Sequence, residues 1–156
     1  MKNPWPLDEC PQASFRTARH EDLGAVAILL QHLGYPMTPS KVHESLSNVL
    51  RDPGIHVVVA TSADDEIIGL MTLRLFPALR LAGFQLSIEE MVVAPEYRDQ
   101  GIGRQFLQYA FGYAQQKRVV RLEVLSSNQR ESARRGFYIK NGFTLAESQV
   151  YRMQLV

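Results

Sequence analysis

Cysteine is almost absent from the 156-residue chain, where Cys10 stands alone. A single thiol can form no intramolecular disulfide and cannot assemble a cysteine-based metal site. Beside the N-terminal prolines it reads as an inert thiol. An excess of charge is also missing, since 17 basic and 16 acidic side chains leave a net charge of +1. A general nucleic-acid binder needs a basic surface to neutralise phosphates, so that class finds no support. Long apolar runs are lacking as well. "AVAILL" falls far short of the roughly 20 residues that span a bilayer. The opening "MKNPWPLDECPQAS" carries prolines and acids where a signal peptide needs an apolar core. The expectation is a cytoplasmic protein with no membrane partner. His20, His32, His43 and His56 form no i, i+4 pair and no cluster. They read as surface or helix-packing residues, and no metal is expected.

What is present is the composition of a folded domain. With 46% apolar and 21% charged residues, the chain matches ordinary globular proteins. Its length suits one domain that buries about 68–70% of its unfolded surface. The boundaries expected are a flexible tail over 1–14 and one domain over 15–156, with no internal repeat or low-complexity segment.

Periodicity then orders the elements. A first strand over Phe15 to Ala18 precedes a helix whose Leu23, Val26, Ala27, Leu30 and Leu33 recur at three and four residues. "GYPMTPS" breaks it, and Ser40 reads as the cap of a second helix with Val42, Leu46, Val49 and Leu50 inward. "IHVVVAT" and "IIGLMTLRLF" read as an antiparallel pair around the turn "SADDE". Another strand runs from about Phe84 to Val93. "GIGRQFLQYAFGYAQQ" sets Ile102, Phe106, Ala110 and Ala114 four apart on one helical face. "VVRLEVLS" is the next strand and "NQRESARRGFYIKN" a helix, and "GFTLAESQVYRMQLV" is expected to close the chain as two short strands or a hairpin. The fold class is α/β (α+β), a mixed, mostly antiparallel sheet flanked by helices.

Chemistry concentrates where strand hands over to helix, in "EEMVVAPEYRDQGIGRQF". Gly101 and Gly103 permit positive φ and close backbone approach. The first N–H groups of the following helix have no internal partners, and the helix dipole makes that end partly positive. With Arg98 and Arg104 at the rim, the turn suits a phosphate or pyrophosphate. A plain connecting turn would look the same from two glycines alone. A Walker loop needs Lys-Ser/Thr after the last glycine, but Arg104-Gln105 follows. A dinucleotide fingerprint needs a third glycine where Phe106 stands. Glu123, 20 residues beyond Gly103, lies inside the apolar strand "RLEVL" instead of at its end.

Two features together resemble the GCN5-related N-acetyltransferases, from about Phe15 to Val156. Arg98-x-x-Gly101-x-Gly103 after an apolar strand is similar to that family's acetyl-CoA signature. "SSNQRES…FYIKNGF" resembles its second signature, although Arg134-Arg135-Gly136 adds a residue ahead of Phe137-Tyr138. "LLQHLGYPMTPSKV" also resembles small-amine acetyltransferases, including aminoglycoside and aminoalkylphosphonate enzymes. The resemblance implies that Met91, Val92, Val93, Arg98, Asp99, Gln100, Gly101, Ile102, Gly103, Arg104 and Asn128 hold acetyl-CoA. Met91 and Val93 would offer backbone partners to its pantetheine, and the Met91 N–H would polarise the thioester carbonyl. Dimers are frequent in the family. The implied activity is direct acetyl transfer to a primary amine of a small molecule. The alternative is a coenzyme-A-binding regulatory or toxin-like module acting on a protein or aminoacyl-tRNA amine.

Such a transfer needs a base, because an amine of pKa about 10.4 is protonated at neutral pH. Exposing its lone pair there costs about 4.6 kcal/mol, at about 1.36 kcal/mol per pH unit. Strand alternation sends Glu89 and Glu90 to opposite faces and sets Glu89 on the face of Met91 and Val93. Glu89 also matches an acid of polyamine and glucosamine-phosphate members, which makes it the first candidate. Glu90 and Glu123 are the alternates, and each of the three could instead be a structural carboxylate paired with an arginine. Tyr138 matches the family's general acid, which protonates the departing thiolate.

Overall fold

The computed structural model describes residues 13–127 and 129–155. The expectations for Cys10, the N-terminal tail and Asn128 therefore lie on or reach into residues outside the described ones. Strand β1 (Ser14–Thr17) passes through a 3-10 turn into helix α1 (Leu23–Leu33). A half-buried ion pair fixes that junction. The Arg16 guanidinium donates to both carboxylate oxygens of Asp22, at 2.8 and 2.9 Å, and the Arg19 N–H adds a third bond at 2.7 Å. Those bonds hold the Asp22 carboxyl below the usual aspartate range, the Arg16 contact contributing most.

Helix α2 (Pro39–Arg51) starts two residues earlier than a cap at Ser40 would allow. Thr38 is the cap, its Oγ1 accepting from the Lys41 N–H at 3.4 Å. Pro39 fills the first turn, where its missing N–H costs nothing. Strands β2 (Ile55–Thr61), β3 (Ile67–Ala78) and β4 (Gly83–Val93) form an antiparallel meander. After helix α3 (Ile102–Gln116), strand β5 (Arg121–Val124) joins β4 in parallel. The sheet runs β1-β2-β3-β4-β5, so the mixed, mostly antiparallel sheet expected from sequence is present.

Two cores follow from alternation along these strands. On one face Met71, Leu73, Leu86 and Ile88 pack against α3 through Ile102, Phe106, Leu107, Ala110 and Ala114. On the other, Val57, Val59, Leu70 and Val92 pack against α1 and α2 through Val26, Leu29 and Val42. The four residues expected inward on α3 are all buried, because a 15-residue helix on a sheet buries one stripe. His56 is a helix-packing residue, stacked on Tyr113 at 4.9 Å with its Nε2 2.8 Å from the Tyr109 hydroxyl.

Two expectations for the last third fail. The single helix over "NQRESARRGFYIKN" is two short helices, α4 (Glu131–Arg134) and α5 (Phe137–Lys140). Gly136 between them adopts φ 62°, a left-handed conformation that ends one helix and re-aims the next. The terminal strands or hairpin do not form among residues 143–155, where Leu145, Tyr151, Met153 and Leu155 are exposed.

Candidate functional site

The site begins as an interruption in β4. Its register with β3 pairs Leu73 with Ile88 and Thr72 with Glu90, leaving Glu89 as an extra residue. This is a β-bulge, two residues on one strand opposing one on the other. Ile88 and Met91 consequently both face α3 although they are three apart. Glu89 and Glu90 fall between them on the opposite side. The expectation that Glu89 shares a face with Met91 and Val93 is thus wrong, because strict alternation does not survive a bulge.

On its other side β4 loses a partner at the same point. The parallel register with β5 ends at Ile88 and Val124, so the two strands part beyond it. Into the gap opens a cleft of about 480 Å³. Met91, Val92 and Val93 form its floor, and His32 and Leu33 of α1 one wall. Arg130, Ser132, Arg135, Phe137 and Tyr138 form the other. His32 is therefore a cleft residue, not merely surface or helix packing.

The far end of the cleft is the glycine turn. Gly101 adopts φ 84° and ψ −3° as the cap of α3, a conformation that costs other residues about 1–2 kcal/mol. Hydrogen bonding within the helix starts when the Gln105 N–H reaches the Gly101 carbonyl at 3.0 Å. The amides of Ile102, Gly103 and Arg104 thus precede the helical ladder at its positive end. Arg98, Asp99 and Arg104 also line the cleft. The Arg98 Nε donates to the Val93 carbonyl at 3.1 Å, tying the turn to the end of the strand. Asp99 adopts φ 59° and accepts from Arg135 at 2.8 Å. Gln100 points elsewhere, its side-chain amide donating to the Glu96 carbonyl at 3.0 Å. A Cβ on Gly103 would sit 3.2 Å from the Phe137 ring. That glycine therefore makes room for an aromatic wall of the cleft.

The titratable groups divide sharply. Tyr138 is half-buried, edge-on to Phe137 at 5.1 Å and to Phe143 at 5.8 Å. Burial raises its pKa, with Arg130 opposing, so the phenol keeps its proton. Its hydroxyl makes no hydrogen bond among the described residues. Burial likewise raises the pKa of Glu90, reinforced by Glu89 and opposed by the Thr72 hydroxyl and Arg130. Glu123 is committed to structure. It accepts from Gln85 Nε2 at 2.6 Å and from Arg121 at 3.4 Å, and Gln85 in turn accepts from Arg80 at 2.9 Å.

Arg130 and Arg135 are the residues that sequence reasoning missed. Their signal was the basic run in "QRESARR", with Glu131 and Arg135 spaced to pair along a helix, as they do. Among the described residues no group of three His, Cys, Asp or Glu side chains is placed to hold a metal ion. None of the described helices is long and apolar enough to cross a membrane.

Comparison with known proteins fits this geometry. Residues 53–145 match the acetyltransferase (GNAT) domain family. Aminoalkylphosphonate N-acetyltransferase of Salmonella typhimurium is 29% identical over 137 residues, covering 87% of this chain and 88% of that protein. An acetyltransferase of Trypanosoma brucei superposes with a TM-score of 0.75 at 26% identity, over 92% of this chain and 100% of the other. A transcriptional regulator from Bacillus halodurans superposes at 0.82 with 23% identity, over 92% and 100%, and shares the fold.

Proposed function

The chain belongs to the GNAT acetyltransferases and is an N-acetyltransferase, and we propose that it transfers an acetyl group from acetyl-CoA to a primary amine of a small molecule within a ternary complex. The observation that carries this reading is the coincidence of three things at one strand end. The β4 bulge and the parting of β4 from β5 come directly before Met91–Val93, which line the cleft together with the left-handed Gly101 turn. The Salmonella relative, named for an aminoalkylphosphonate acceptor, supports a small amine.

The residues present fit coenzyme A. The pyrophosphate would rest on the amides opening α3, between Arg98 and Arg104, since the positive end of a helix and two guanidinium groups suit a dianion. Its pantetheine would lie along Met91–Val93, where β4 has a free edge for strand-like pairing. When bound, acetyl-CoA supplies the acetyl group as an activated thioester. The Met91 N–H would donate to the carbonyl oxygen where charge develops, a contact type worth about 2.7–4 kcal/mol.

Glu90 is the base in this reading, in preference to Glu89. A carboxylate whose pKa is raised by burial is a stronger proton acceptor near neutrality. Tyr138 holds a proton at its hydroxyl for the departing sulfur, and its raised pKa keeps that proton in place until it is needed.

The test is a panel of primary amines with acetyl-CoA, read by free thiol release. Tyr138→Phe should lower turnover about 10²-fold or more while acetyl-CoA affinity, measured by calorimetry, stays within twofold. Absence of thiol release across the panel would overturn the transfer reading. An equally active Tyr138→Phe would remove the tyrosine from the chemistry.

A further inference from the structure

The cleft has a cation that neither the acetyl transfer nor the pyrophosphate turn uses. Arg130 lies in the connection between β5 and α4, half-buried, and lines the cleft. Its field reaches both Glu90 and Tyr138, lowering the pKa of each. Glu90 precedes Met91 in β4, beside the position where the acetyl-transfer reading sets the thioester carbonyl. Its neighbour Glu131 is engaged by Arg135, and Arg130 forms no ion pair among the described residues. Among the described residues its side chain makes one hydrogen bond, a long one from Nη2 to the Tyr35 hydroxyl at 3.5 Å, with the guanidinium 5.9 Å from the centre of the Tyr35 ring.

Tyr35 comes from the connection between α1 and α2, two residues after Leu33, which lines the cleft. Its oxygen accepts from Arg130, which leaves the phenolic hydrogen free to donate. Arginine fork and phenol can therefore address one ligand together, and both offer only donors to it. A planar fork with no carboxylate partner is suited to a bidentate anion. The acids on the neighbouring stretch of β4 suit the opposite charge.

We propose that Arg130 and Tyr35 bind an anionic group carried by the acceptor, so that the enzyme selects small zwitterionic amines, ammonium toward Glu90 and anion toward Arg130. The proposal rests on the acetyl-transfer reading for the amine end alone. The anion site stands or falls on its own geometry, and the shared chemistry of the ligand is a compact oxyanion such as a phosphonate or carboxylate.

The experiment compares 2-aminoethylphosphonate and β-alanine with ethanolamine, at saturating acetyl-CoA, in the parent and in Arg130→Gln and Tyr35→Phe. The parent should favour at least one anionic amine over ethanolamine by roughly 10- to 100-fold in kcat/KM, the range for hydrogen bonds to charged groups. In Arg130→Gln that ratio should collapse toward one, mainly through the KM of the anionic amine. Using the ratio cancels any effect of the lost charge on Glu90 and Tyr138. Tyr35→Phe should reduce the ratio less. An unchanged ratio in Arg130→Gln, or a parent with no preference, would overturn the proposal. So would a variant whose defect lies in the KM for acetyl-CoA. Calorimetry with propylphosphonate, which lacks the amine, provides a readout independent of turnover. If no amine yields thiol yet propylphosphonate binding is lost in Arg130→Gln, acetyl transfer fails and the anion site stands. If the parent binds no propylphosphonate and shows no preference, the anion site fails.

Discussion

The two halves of β4 share a backbone and have opposite tasks. From Gln85 to Ile88 the strand is paired on both sides, by β3 and β5, and all four residues are buried. From Glu89 to Val93 only β3 remains, and Glu89, Glu90, Met91 and Val93 are half-exposed. Pairing on both edges uses up the backbone donors and acceptors and leaves the side chains to fill the core. Where the second edge is released, the same groups become available to a ligand. Stability and, in the proposed reading, chemistry thus divide at the bulge, within a single strand.

That division is testable by substitution on either side of Glu89. The largest effect should come from Glu90→Gln, which keeps size and hydrogen bonding but cannot take a proton. Transfer at neutral pH should fall about 10²- to 10⁴-fold and recover as pH approaches the pKa of the amine. Stability should move the other way. Burial raises the folded pKa of Glu90 above its unfolded value, so the folded state binds the extra proton. The parent therefore loses stability as pH rises from about 4.3 through that raised value, and Gln does not. Thermal unfolding should find the variant at least as stable as the parent at pH 7, with the gap closing in acid. A Glu89→Gln variant with the same rate profile, beside an unaffected Glu90→Gln, would return the role to Glu89.

On the paired side, Ile88→Ala should destabilise the fold by about 2–5 kcal/mol, because a fully buried side chain against α3 leaves a cavity. Denaturant titration measures this. Turnover per folded molecule should change far less than in Glu90→Gln, and a comparable loss of turnover would blur the boundary drawn at Glu89. The smallest effect belongs to Gly101→Ala, beyond the free half. The left-handed backbone should cost about 1–2 kcal/mol of stability, and calorimetry should show weaker coenzyme A binding as the turn relaxes. Unchanged affinity would move the pyrophosphate away from this turn.

Much of this was legible in the chain itself, and the exceptions have identifiable causes. The stripe of Ile102, Phe106, Ala110 and Ala114 gave α3, because helix period is a property of consecutive residues. Gly101 and Gly103 marked the turn, although Gly103 also makes room for Phe137, which lies 34 positions further on. Glu89 and Glu90 were visible as candidates, but their faces were not. Nothing in "SIEEMVV" announces that Thr72 pairs with Glu90 while Leu73 pairs with Ile88. Arg130 was visible only as one of several basic residues, since its proximity to Tyr35 spans 95 positions.

Local chemistry, then, settled what lies within one turn or one strand: the mixed order of elements, the glycine-opened helix and the carboxylates ahead of it. Those features depend on side-chain period and backbone freedom over a few neighbouring residues, which the sequence carries directly. The bulge, the parting of β4 from β5 and the meeting of Arg130 with Glu90, Tyr138 and Tyr35 were decided only in the folded chain. Each depends on register between segments distant in sequence, and a one-residue shift in register turns a side chain from one face of a sheet to the other.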